Sequence, residues 1–176
     1  IREDIIAMGD LVQVSMQSDG TGAIEEVLPR KKALIRSAPD ARGEYKQVLL
    51  ANPDQIVLVF ACAQPEPHLR MLDRFLVICE QQGIDVLIAA NKVDLVDEEA
   101  AHDLFGMYEQ IGYKVVYTSS IMGLGVDTLM DHLQDRLSGL VGPSGVGKSS
   151  LLNAIQPSLG LAISHVSEST SKGTHT

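Results

Sequence analysis

Gly142-Pro143-Ser144-Gly145-Val146-Gly147-Lys148-Ser149 decides the reading of this chain. It matches G-x-x-x-x-G-K-[ST], a loop whose glycines let backbone N–H groups close around a phosphate. Lys148 is expected to reach the β and γ oxygens, and the Ser149 hydroxyl to ligate Mg²⁺. Ser150-Leu151-Leu152-Asn153-Ala154-Ile155 continues as a helix whose positive N-terminal end favours an anion. Gly142 through Ser150 is therefore the candidate phosphate site. A Gly-rich turn with an accidental lysine would not bring an apolar approach and a following helix in the same order.

Working outward, the chain alternates strand and helix. Ile56 to Cys62 is a continuous apolar run suited to a strand covered on both faces, and Val86 to Ala90 is a second. Between them Leu69, Leu72, Phe75, Leu76 and Cys79 recur at helical spacing up to Gly83. The pattern predicts helices over 97–110 and 126–137 and a third strand over 115–118. Such alternation implies βαβ units and a mostly parallel sheet flanked by helices. The helix ending at Leu137 leaves only Ser138-Gly139 before Leu140-Val141, so residues are expected to be missing at that junction.

Asn91-Lys92-Val93-Asp94 follows the second strand directly, at the carboxyl end where open α/β sheets bind ligands. An ionised Asp94 can accept from a guanine N1–H and N2 amine, an arrangement adenine does not offer. Asn91 would brace the base and the neighbouring loop, and the Lys92 stem would cover the ring. The competing reading is a helix N-cap at Asp94 or Asp97. After the third strand, the loop carrying Ser119 and Ser120 could present a backbone N–H to the guanine O6.

The first 50 residues read as β structure, with Asp19-Gly20-Thr21-Gly22 as the turn of a hairpin from a small barrel. The barrel is expected to be truncated, since Ile1 falls inside a strand and too few strands follow to close it. Over 176 residues, 14 Lys plus Arg against 23 Asp plus Glu give a net charge of −9. The composition, 45% hydrophobic and 21% charged, excludes a disordered tail or a fibrous repeat. Residues 28–48 nevertheless hold six basic and two acidic side chains, so this stretch is +4 and the remainder −13. Arg30, Lys31, Lys32 and Arg36 are the candidate contacts to RNA phosphates, against the alternative of a solvated charged strand face. Cys62 and Cys79 read as buried small hydrophobes, and the five histidines form no metal-site spacing. No apolar run approaches the ~18 residues of a membrane span, and the residues from Ile1 do not follow the basic, apolar, small-residue order expected of a signal peptide. A cytoplasmic protein without a membrane partner is expected.

The loops stand in an unusual order, because N-K-x-D precedes the phosphate loop. With these motifs, the chain resembles the circularly permuted GTPases of the ribosome small-subunit-dependent GTPase A family (RsgA, YjeQ or YloQ). Ile24 to Arg30 resembles its N-terminal OB-fold, Ala51 to Gln55 its entry to the GTPase domain, and Ser171 to Thr176 the start of its first switch. The resemblance implies a partial OB-fold over 1–50 that binds RNA. It implies a circularly permuted P-loop GTPase domain over 51–176, incomplete after the first switch. It further implies GTP or GDP with Mg²⁺, hydrolysis stimulated by the small ribosomal subunit, 16S rRNA as a partner, and a monomer. Zn²⁺ belongs to a C-terminal domain of the family whose ligands this chain does not supply. Thr176 would be the threonine sensing the γ-phosphate, with Lys148 and Ser149 the other catalytic candidates. Asp19 to Gly22 and Asp103 to Gly106 match the letters of D-x-x-G, but one reads as a turn and the other as helix. An alternative is a nucleotide-gated, rRNA-binding assembly chaperone with negligible hydrolysis. An adenylate- or guanylate-type enzyme fits less well, because only 27 residues follow Ser149.

Overall fold

The computed structural model describes residues 2–3, 6–40 and 43–161, with the backbone alone at 2–3, 36–40 and 43–46. The chain forms two compact units. One gathers the N-terminal stretch through Ile56 with 74–85 and 135–139; the other gathers 57–73, 86–134 and the stretch from Leu140.

In the N-terminal stretch, β2 (Val12–Met16) and β3 (Gly22–Val27) form the expected antiparallel hairpin, with a register shift between Gln13 and Val14. Its turn is held by Asp19, whose Oδ1 accepts from the Thr21 N–H at 2.9 Å and the Thr21 hydroxyl at 2.6 Å. A second, longer hairpin pairs β4 (Ala33–Asp40) with β5 (Gly43–Ala51), and the two-residue β1 (Arg2–Glu3) joins β5 in parallel. These are two separate sheets, of three and two strands. Ala33, Val48 and Ala51 make a small core for this region.

The α/β part runs β6 (Gln55–Ala61), α1 (Leu69–Gln81), β7 (Asp85–Asn91), α2 (Glu98–Gln110), β8 (Lys114–Thr118), α3 (Val126–Leu133), β9 (Ser138–Val141) and α4 (Lys148–Ile155). Its sheet has the order β8-β7-β6-β9, with β7 and β8 parallel. Every residue of β6 is buried, as a strand covered on both faces requires. Val57, Val59, Leu87, Ala89, Leu129 and Leu151 meet in the main core.

The junction before β9 corrects the expected helix over 126–137. α3 stops at Leu133, and Asp135 takes a left-handed φ of 57° that ends the turn. Leu137 is therefore not helical. Its carbonyl accepts from the Asp54 N–H at 2.9 Å, and its own N–H donates to Asp54 Oδ2 at 2.7 Å. Ser138-Gly139-Leu140-Val141 is itself the strand that feeds the phosphate loop.

Candidate functional site

Parallel pairing puts Asn91 directly beside Thr118, at the carboxyl ends of adjacent strands. Both side chains are fully buried, and the Thr118 hydroxyl donates to Asn91 Oδ1 at 3.1 Å. Asn91 Nδ2 donates to the Val146 carbonyl at 2.8 Å. One amide thus ties N-K-x-D both to the third strand and to the phosphate loop, across 55 residues of sequence. Gly147 makes room for it: a Cβ there would lie 2.4 Å from Asn91 Nδ2, and its φ of 96° suits glycine. Gly142 is equally constrained, since a Cβ would sit 2.1 Å from the Val59 carbonyl oxygen.

Lys148, the first residue of α4, folds back over the loop and donates to the carbonyls of Gly142 at 2.8 Å and Pro143 at 2.6 Å. Burial holds its ammonium below the ordinary lysine value. Ser149 and Ser150 share the first turn of α4, where N–H groups lack helical partners. Ser144 is exposed, whereas Val146 is buried.

On the base side, Lys92 has a left-handed φ of 63° and donates through Nζ to the Gln64 carbonyl. Burial lowers its pKa, with the Asp94 charge opposing. Asp94 lies in a single 3₁₀ turn, Val93–Leu95. The helix cap is Asp97, whose Oδ1 accepts from the Ala100 N–H at 2.7 Å. Ser119 is buried and shapes its own loop: its N–H donates to the Leu124 carbonyl at 3.0 Å, and its Oγ accepts from the Met122 N–H at 3.1 Å. Ser120 is half-buried beside it.

Among the basic candidates, Arg30 forms a bidentate pair with Asp10, Nε to Oδ1 at 2.7 Å and Nη2 to Oδ2 at 2.8 Å. Lys31 and Lys32 occupy the turn before β4, and the Arg36 side chain lies outside the described residues. Thr176 and the rest of Ser171 to Thr176 also lie outside them. Asp103 to Gly106 falls within α2, as its reading as helix required. Sequence reasoning gave Thr118 no role beyond opening the loop of Ser119 and Ser120, and did not single out the Gln64 carbonyl. Thr118 was detectable as a polar residue ending a buried strand, whereas the Gln64 carbonyl leaves no sequence signal. Among the described residues no group of three or more His, Cys, Asp or Glu could hold a metal, and no helix is long and apolar enough to cross a membrane.

A strand, phosphate loop and helix, with an asparagine reaching in from a strand earlier in the sequence, define an α/β nucleotide-binding fold of permuted loop order. The family model described as RsgA GTPase matches residues 27–176, and the chain belongs to that family. It is 46% identical over 174 residues to the small ribosomal subunit biogenesis GTPase RsgA of Gemmatimonas aurantiaca, covering 97% of this chain and 56% of the relative. The protein of the same name from Alkaliphilus metalliredigens is 40% identical over 171 residues, covering 96% and 55%. Among solved structures, YjeQ from Thermotoga maritima matches with a TM-score of 0.71 at 36% identity, over 86% of this chain and 51% of that one. YloQ, described as a circularly permuted GTPase, matches at 0.62 and 36% identity, over 85% and 50%. The chain thus spans about half the length of the relatives it matches.

Proposed function

We propose that this chain is the guanine-nucleotide-binding part of a GTPase that acts in late maturation of the small ribosomal subunit. The observation that carries the reading is the Asn91 amide, which fixes N-K-x-D against the phosphate loop. Asp94 and the adjoining Asn91, Lys92 and Val93 select guanine, and Ser119 and Ser120 offer the loop that meets its O6. Gly142 to Ser150 cradles the phosphates. Lys148 exchanges its two carbonyl partners for β and γ oxygens, and charge-assisted bonds to phosphate are the stronger ones. The Ser149 hydroxyl fits Mg²⁺, which takes few protein ligands and shares phosphate oxygens. Hydrolysis needs an oriented water and charge stabilisation at the γ-phosphate, with Thr176 as the γ-phosphate sensor and further groups supplied by the longer protein or by the subunit.

Residues 1–50 form part of an OB-like RNA-binding region and 51–176 the permuted GTPase domain of a cytoplasmic monomer. Lys31, Lys32 and Arg36 meet 16S rRNA phosphates, while Arg30 holds their turn through Asp10. The relatives' printed names support the ribosomal setting. Competition between GTP and ATP, repeated with Asp94→Asn, tests the core of the reading. GTP should win strongly in the parent and lose its advantage in the variant; indifference to the base in the parent would refute it.

A further inference from the structure

A cleft of about 450 Å³ opens within the first compact unit, beside the Lys31–Lys32 turn. Its walls carry three cations, Lys31, Lys32 and Arg136, and three carboxylates, Asp54, Asp85 and Asp135. Arg136 is more than 100 residues from the lysines and belongs to no motif of the sequence.

Both walls are fixed by specific bonds. Asn52 Oδ1 accepts from the Lys31 N–H at 2.8 Å, the Asn52 N–H donates to the Lys32 carbonyl at 2.8 Å, and Asn52 Nδ2 donates to the Gly9 carbonyl at 3.1 Å. Opposite, the reciprocal bonds of Asp54 with Leu137 hold the segment bearing Asp135 and Arg136. Arg136 Nη1 donates to Gln55 Oε1 at 3.3 Å and lies 3.6 Å from Asp85.

The volume falls in the range of small-ligand sites. A groove tracking several phosphates would be uniformly basic, whereas here a second phosphate would face a carboxylate. The mixture suits a ligand with one anionic end and one end rich in hydrogen-bond donors. A ribonucleotide unit has this form, with a phosphate for the cations and a 2′-hydroxyl or base amine for the carboxylates.

Building on the RNA-docking reading above, we infer that this cleft holds one ribonucleotide unit, with Arg136 joining Lys31 and Lys32 on its phosphate. The test uses the full-length protein saturated with GDP and a labelled single-stranded oligoribonucleotide, followed by anisotropy across a salt series. Arg136→Gln should weaken binding about fivefold and reduce the salt slope by about one, as loss of one phosphate contact does. Asp85→Asn separates this from a structural effect: it also breaks the ion pair but leaves the cation, so binding should hold or tighten. Weakening by both variants alike would overturn the inference, as would no response to Arg136→Gln. If Lys31→Gln with Lys32→Gln weakens binding while Arg136→Gln does not, RNA docking stands and the cleft assignment falls. If neither does, docking falls too. Free uridine monophosphate separates the sources: displacement of the oligonucleotide that is lost in Arg136→Gln means the cleft also takes free nucleotide. With Arg136→Gln weakening the oligonucleotide, lack of displacement assigns the unit to RNA.

Discussion

Asn91 has both ends of its amide committed in the buried site. Truncation would leave the Val146 carbonyl and the Thr118 hydroxyl without that partner, at about 1–3 kcal/mol. Asn91→Ala should therefore lower the denaturation midpoint and weaken guanine-nucleotide binding together, which urea titration and nucleotide titration would both register. The Asp10 carboxylate, 1% exposed, depends on Arg30 in the same way. Hydrogen bonds from Arg30, foremost, hold its pKa below the ordinary 3.8. A depressed carboxylate stabilises the fold above the unfolded value, and that contribution is lost as pH falls through the folded one. Asp10→Asn should flatten the acid limb of stability below about pH 4, measured by urea midpoints at stepped pH. Arg30→Gln should cost about 2 kcal/mol, whereas Lys31→Gln should leave the fold unchanged. Burial pushes the Cys62 and Cys79 thiols up to about 11. At pH 8 both should react with iodoacetamide only as fast as the protein opens, so labelling rates should follow denaturant concentration.

Among the elements, α2 settles which aspartate caps it. Asp97→Ala should cost about 1 kcal/mol, while Asp94→Asn should leave the unfolding midpoint unmoved, so any loss of guanine preference in that variant is a site effect. Helix-period and buried-strand patterns made β6, α1, β7, α2 and β8 legible within a residue or two, because each has a continuous apolar face. The end of α3 was not legible. Leu137 continues the apolar spacing, but the backbone leaves the helix at Gln134, whose ψ is 133°, with the left-handed Asp135 next, and the Asp54 bonds that fix Leu137 join residues 83 apart. The β4–β5 pairing was similarly hidden within a stretch that reads only as generic β structure. The phosphate loop and N-K-x-D were readable as letters; their union through Asn91 became visible only once register set β7 beside β8.

For the molecule as a whole, the net charge of −9 conceals a division of labour. The basic stretch belongs to the β-rich N-terminal part, while on the proposed reading the loops of the α/β fold would bind their anion through backbone N–H groups and one lysine. Ligand binding is linked to folding, so guanine nucleotide at a hundredfold its Kd should raise stability by about 2.7 kcal/mol. Urea midpoints with GDP and ADP would show the gain for the first alone. The reading order of the motifs has no bearing on this, because the strands bring the three loops together irrespective of where each falls in the chain.

Asn91 also sets how the protein ages. Asparagine deamidates when the next backbone nitrogen attacks its side-chain carbonyl, which requires the amide to swing free. At Asn52 the following residue is Pro53, which has no N–H to supply that nitrogen. Asn153 is only half-buried, and among the described residues its side chain is held by Leu161. Asn91 is sealed in. On prolonged storage, mass spectrometry of peptides should show aspartate accumulating at Asn153 well before Asn91. Should Asn91 convert, a carboxylate oxygen would face the Val146 carbonyl where a donor stood, and the site would fail without any cut in the chain.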